Sequence, residues 1–135
     1  MMPGVVVDTN TFIAAGFNKR SMSARVIEAV RLHRLRLVWN EATRAETRRI
    51  AEKIPPIRWT EFEGLFTREN CHEGAVDESG FDYVPDPSDR KFAALAAASD
   101  AVLITQDDHL LRDRGRGTVR ILTPREFVEY CWPAR

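Results

Sequence analysis

Continuous apolar runs alternate along this chain with stretches in which apolar residues recur every three or four positions. Residues 5–7 are three consecutive Val ending at Asp8, and residues 101–105 read AVLIT. Such runs, without polar alternation, predict strands buried on both faces. Residues 35–39 (LRLVW) predict another strand, residues 118–122 a last one, and residues 83–84 a short one. Helices are predicted over 11–17, 21–33, 40–53, 58–69, 86–99, 107–112 and 124–130. In the second of these Val26, Ile27 and Val30 share a face, and in the fourth Trp59, Phe62, Leu65 and Phe66 repeat at helical spacing. Asn40 is a good N-cap, Pro55-Pro56 stops the helix behind it, and Asp86-Pro87 opens another, because Pro suits the first helical position. Residues 70–82 are acidic, Gly-containing and aperiodic, and read as a loop.

Strands that alternate with helices predict an α/β fold with a central, mostly parallel sheet and helices on both faces, joined by right-handed crossovers. Ligands in such sheets bind at the carboxyl ends of the strands. The length of 135 residues fits one domain over 1–135, and 44% hydrophobic with 30% charged residues is enough for a core. Twenty basic and twenty acidic residues cancel, which argues against strong nonspecific nucleic-acid binding but not against a nuclease whose acidic site offsets a basic rim. Cys71 and Cys131 lack ligand or disulfide spacing, which suits a reducing cytoplasm. No apolar run approaches the ~20 residues of a membrane span, and no basic residue precedes the N-terminal Val run as in a signal peptide.

Four acids stand where they matter. Asp8 and Asp107 follow the two best buried strands. Asp89 lies at the third position of the helix opened by Asp86, and Glu46 shares a face with Ala42 and Ile50, four residues either side. Each has a local reading as well: Asp8 and Asp107 as helix caps, Asp89 as a partner of the helix dipole, Glu46 as a salt-bridged surface residue. Together they reach one sheet edge. Like charges at 4 Å repel by ~4 kcal/mol at an effective dielectric near ~20, so the cluster needs protons or cations. Oxygen donors without a His/Cys set point to Mg²⁺ or Mn²⁺. Asn10 caps the first helix or steadies Asp8, and Thr105 supports a nearby ligand or ends its strand.

VVVDTN near the N-terminus, TRAETRRI in the middle, then DPSDRKFAALA and AVLITQDDHLL resemble the PIN-domain nuclease family, and most closely its VapC-like toxins of toxin–antitoxin pairs. The similarity runs from Val5 to about Leu122. It implies a Rossmann-like, three-layer sandwich; a metal-binding acidic set of Asp8, Glu46, Asp89 and Asp107 supported by Asn10 and Thr105; Mg²⁺- or Mn²⁺-dependent hydrolysis of RNA phosphodiesters; and a homodimer silenced by a small antitoxin protein. The chain departs from the family pattern at Gln106, where similar sequences have Gly before the last acid, and residues 70–84 do not align.

Substrate grip is expected from basic residues, with Arg25, Arg112 and Arg114 as candidate RNA contacts; solvated helix faces are the plainer use of such residues. His109 is the one His near the proposed chemistry, and Trp39, Trp59 and Trp132 are expected to pack rather than stack on bases. Two rival functions exist. One is a metal-dependent phosphatase with Asp8 as nucleophile, against which stands Asn10 where that signature has a second Asp. The other is a non-catalytic module that binds RNA or protein, against which stands the intact acidic set.

Overall fold

A computed structural model describes residues 3–131. Four strands, β1 (Gly4–Val7), β2 (Arg36–Leu37), β3 (Val102–Ile104) and β4 (Ile121–Leu122), form one sheet in the order β2-β1-β3-β4, with every pair parallel. The main helices are α1 (Thr9–Phe17), α2 (Met22–Arg31) and α3 (Glu41–Ala51) between β1 and the irregular middle, α4 (Arg90–Ser99) before β3, and the short α5 (Asp108–Leu111) and α6 (Pro124–Glu126).

Side-chain alternation builds the layers. Val5 and Val7 of β1 and Ile104 of β3 face one way, against Phe12 of α1, Val26 and Val30 of α2, and Phe127. Val6 and Leu103 face the other way, against Phe92 and Leu95 of α4 and against Val84 and Leu110. Both faces of the sheet are covered, so its central strands carry no polar positions. The result is the three-layer α/β sandwich expected from the alternation of elements.

Several elements differ from their expected form. The helix expected over 58–69 is three 3-10 turns, Trp59–Glu61, Glu63–Leu65 and Arg68–Asn70. Its aromatic spacing serves a tertiary cluster instead. Phe66 stacks on Phe12 at 5.5 Å and lies 5.4 and 5.7 Å from Trp59 and Trp39, while Phe62 meets Phe12 edge-on. The strand expected over 35–39 keeps only Arg36–Leu37; Trp39 makes an isolated bridge to Cys71 and donates its indole N–H to the Thr67 carbonyl. Residues 83–84 form a turn rather than a strand, and Val84 N donates to the Phe81 carbonyl. The last strand is confined to Ile121–Leu122, and the last helix is one α turn continued by a π turn over Phe127–Cys131. Trp39 and Trp59 are buried; Trp132 lies outside the described residues. No helix among those residues is long and apolar enough to cross a membrane.

Candidate active site

The strand order reverses between β1 and β3, since the chain leaves β1 for β2 on one side and returns to β3 on the other. Such a switch point opens a crevice beyond the carboxyl ends of its two strands. Because Val7 pairs with Ile104 in parallel, the residues that follow, Asp8 on one strand and residues 105–107 on the other, leave the sheet side by side.

One hydroxyl ties them together. Thr105 is fully buried; it donates to Asp8 Oδ2 and accepts from the Asp107 backbone N–H at 2.9 Å. Asp8 Oδ1 accepts from the Thr11 N–H at 3.0 Å, so Asp8 caps α1. Asp107 Oδ1 accepts from the His109 N–H at 2.8 Å and caps α5. Both acids therefore cap a helix while lining one cleft, since a carboxylate oxygen carries more than one lone pair. Burial pushes the Asp8 carboxyl above its ordinary range; hydrogen bonds from Thr105 and Thr11 oppose the shift, and the charge of Asp107 adds to it.

Asp89 arrives from a third segment. The expected helix over 86–99 begins as a 3-10 turn, Pro87–Asp89, before α4, with Asp86 capping it through the Ser88 N–H. Three residues span one turn of a 3-10 helix, which places acids at that spacing on the same side. Asp89 Oδ2 is buried without a hydrogen-bond partner. Its carboxyl is pushed up to about 7, first by burial, then by the negative charges of Asp107, Asp86 and Asp8.

Glu46 enters from α3. The core-facing residues of that helix are Thr43, Thr47 and Ala51, and Ala42 is exposed; Glu46 is half-buried on the flank of the buried stripe rather than on it. A hydrogen bond of 3.0 Å between the Thr9 and Thr47 hydroxyls holds α3 against α1 beside Glu46. Lys91 Nζ donates to Glu46 Oε1 at 2.5 Å and to the Ser88 carbonyl at 3.0 Å.

Asp8, Asn10, Glu46, Asp86, Asp89 and Asp107 thus line one cleft of about 150 Å³. A larger depression of about 300 Å³, between Val30, Leu37 and Leu65, has Glu69 as its only carboxylate and lacks such a cluster. The sequence reasoning missed one member of the site, Asp86, and placed His109 near the chemistry without a role. Asp86 was assigned to capping alone, yet ligand atoms of Asp86, Asp89 and His109 lie within 4.8 Å of one another; the DPSD spacing carried that signal. His109 Nδ1 stands 3.9 Å from Asp89 Oδ2 and 3.7 Å from Asp107 Oδ1. Asn10 is exposed and makes no hydrogen bond to Asp8 among the described residues; Asp8 does the capping that Asn10 was expected to do. Arg25 and Arg112 are exposed. Arg114 is committed to the fold: its guanidinium grips Glu126 at 2.8 and 3.0 Å and donates to the Ile121 carbonyl.

The donor set fits a divalent cation. Oxygen ligands crowd together, Asp8 and Asp89 are held above their ordinary range, and Asp89 offers a buried oxygen with no hydrogen-bond partner among the described residues. No curated protein and no solved structure gives a significant match to this chain. The family model described as PIN domain matches residues 4–109, a span that runs from the first residue of β1 through the last acid of the cleft. The chain therefore belongs to the PIN-domain family, whose members are generally metal-dependent nucleases.

Proposed function

We propose that this protein is an endoribonuclease that uses Mg²⁺ or Mn²⁺ to hydrolyse RNA phosphodiester bonds. The observation that carries the reading is the buried Asp89 Oδ2, without a hydrogen-bond partner among the described residues, in a cleft that Asp8 and Asp107 also line, three acids delivered by separate segments. Asp8, Asp89 and Asp107 would hold the ion. When bound, it supplies positive charge that offsets the acids and stabilises charge developing on the phosphate. The chain's own contribution is preorganisation. Thr105 fixes the Asp8 carboxylate and the Asp107 backbone with one hydroxyl, so neither must reorient during reaction. Asp107 or Asp89, through a carboxylate oxygen that the ion does not engage, orients the attacking water and takes its proton. The water oxygen bonds to phosphorus, the bond from phosphorus to the leaving oxygen breaks, and that oxygen is protonated from solvent.

The motif resemblance extends the reading to the toxin of a toxin–antitoxin pair, acting in the cytoplasm as a homodimer and silenced by a small antitoxin. Expression that arrests growth, with relief by a small protein encoded beside it, supports that role; harmless expression of an active nuclease counts against it.

The enzymatic reading is tested by incubating wild type and Asp8→Asn with a pool of structured RNAs, with and without Mn²⁺. Metal-dependent cleavage that the substitution abolishes is the expected result. Equal cutting by both proteins refutes the assignment, and RNA binding without cutting favours a non-catalytic module.

A further inference from the structure

The acids of the cleft are not equivalent. Among the described residues no Lys or Arg forms an ion pair with Asp8, Asp89 or Asp107; the His109 ring stands 3.9 and 3.7 Å from the last two. Glu46 has a cation of its own in Lys91. That contact is short, and both side chains are largely shielded, at 21% and 15% exposure. Lys91 is also fixed from a second direction, by the carbonyl of Ser88, which belongs to the same 3-10 turn as Asp89. The ammonium therefore has two of its three N–H donors engaged and sits as a strut between α3 and the turn that carries the unpartnered acid.

We propose that Lys91 is the built-in cation of the cleft, so that Glu46 is not a direct metal ligand and the site takes a single divalent ion on Asp8, Asp89 and Asp107; this rests on the metal-dependent reading above. One lone pair of Glu46 Oε1 is already used by the ammonium. An ion on the sister oxygen would stand a few ångströms from Nζ, where like charges repel across a shielded gap. The three acids without such a partner have no such conflict. The division also explains the local charge pattern: one acid is neutralised by the chain, and the others are left to an external ion. Lys91 in this role is a positioning residue, since it sets where the ion sits without touching substrate.

Titration of the 135-residue chain with Mn²⁺, followed by electron paramagnetic resonance of the free ion and without RNA, separates the possibilities. Wild type is expected to take one Mn²⁺. Glu46→Gln/Lys91→Gln, which replaces the ion pair by neutral amides of similar shape, is expected to take one Mn²⁺ with affinity within about threefold of wild type, below the tenfold or greater loss typical even of outer-shell changes. Lys91→Gln alone leaves Glu46 free and is expected to gain a second Mn²⁺. Asp89→Asn is expected to lose binding. A loss of about tenfold or more in the double variant, two ions on wild type, or an unchanged single ion on Lys91→Gln overturns the role of Lys91 while leaving a metal-dependent nuclease intact. Wild type without Mn²⁺, or unaltered binding by Asp89→Asn, overturns both. Thermal unfolding of each variant confirms that the titrated protein is folded.

Discussion

Two groups of carboxylates in this molecule have opposite surroundings. Near β4, Glu126 accepts two N–H donors from Arg114 and one from the Thr123 backbone, and these hold its carboxyl down to about 2. At the end of β1 and on the 3-10 turn before α4, Asp8 and Asp89 are pushed up by burial and by neighbouring acids, with no Lys or Arg paired to them among the described residues. The first is a completed structural bond, with its charge balanced inside the protein. The second is a charge imbalance that folding leaves in place. Position at a strand end does not by itself distinguish the two; the presence or absence of a partner does. Glu46, an acid of the cleft that carries its own ammonium, stands between these extremes.

The sharpest way to break this contrast is to neutralise one acid from each group. Asp8→Asn is expected to lower the rate of RNA cleavage by at least about a hundredfold, since it removes a charge the metal needs, while the Asn side chain can still cap α1. Single-turnover rates with saturating Mn²⁺ measure this. Thr105→Val should come next. It keeps the shape but removes the hydroxyl that ties Asp8 to Asp107, with an expected loss of about 10- to 100-fold in metal affinity or rate. A Thr105→Val enzyme of full activity would mean that the carboxylates need no such anchor. Glu126→Ala should do the reverse. It removes a capping box and a bidentate ion pair, costing about 1–2 kcal/mol of stability, seen as a fall in melting temperature, with Mn²⁺ binding unchanged.

The smallest effect is on pH dependence. Asp89 binds its proton more tightly folded than unfolded, so its contribution to stability is fully present below the ordinary 3.8 and is lost as pH rises through about 7. Asp8 is shifted in the same direction. Glu126 works oppositely: its contribution is present above the ordinary 4.5 and lost as pH falls toward about 2. Between pH 5 and 8 the group near β4 is therefore silent and the cleft dominates. Metal-free protein should melt at lower temperature at pH 8 than at pH 5, and Mn²⁺ should stabilise it more at pH 8. Calorimetry that finds equal stabilisation at both values would place the ion away from Asp89.

Much of this was legible in the sequence, for a physical reason. A short apolar run rich in β-branched residues favours a strand buried on both faces, so an acid that closely follows it emerges at the edge of the core; Asp8 and Asp107 were visible in that way. The DPSD turn was visible as a helix start, although capping accounts for Asp86 so well that its place in the cleft was hidden. Other features rest on contacts that spacing does not encode. The aromatic residues of 59–66 fit a helix and also fit 3-10 turns around Phe12, and tertiary packing decided for the turns. Glu46 was assigned to the apolar face with Ala42, whereas the buried Thr43 and Thr47 set the rotation of α3. The Lys91–Glu46 pair joins residues far apart in sequence, on two helices whose approach only the fold determines. Arg114 looked like a free cation after the last acid and is in fact bound to Glu126.

The most direct measurement is the anomalous difference density of Mn²⁺ in crystals of the wild-type protein grown with the ion. A single peak within coordination distance of Asp8, Asp89 and Asp107, and farther from Glu46 than Lys91 Nζ, is the expected result. An empty cleft, or a peak held by Asp86 and His109 out of reach of Asp8, would contradict it.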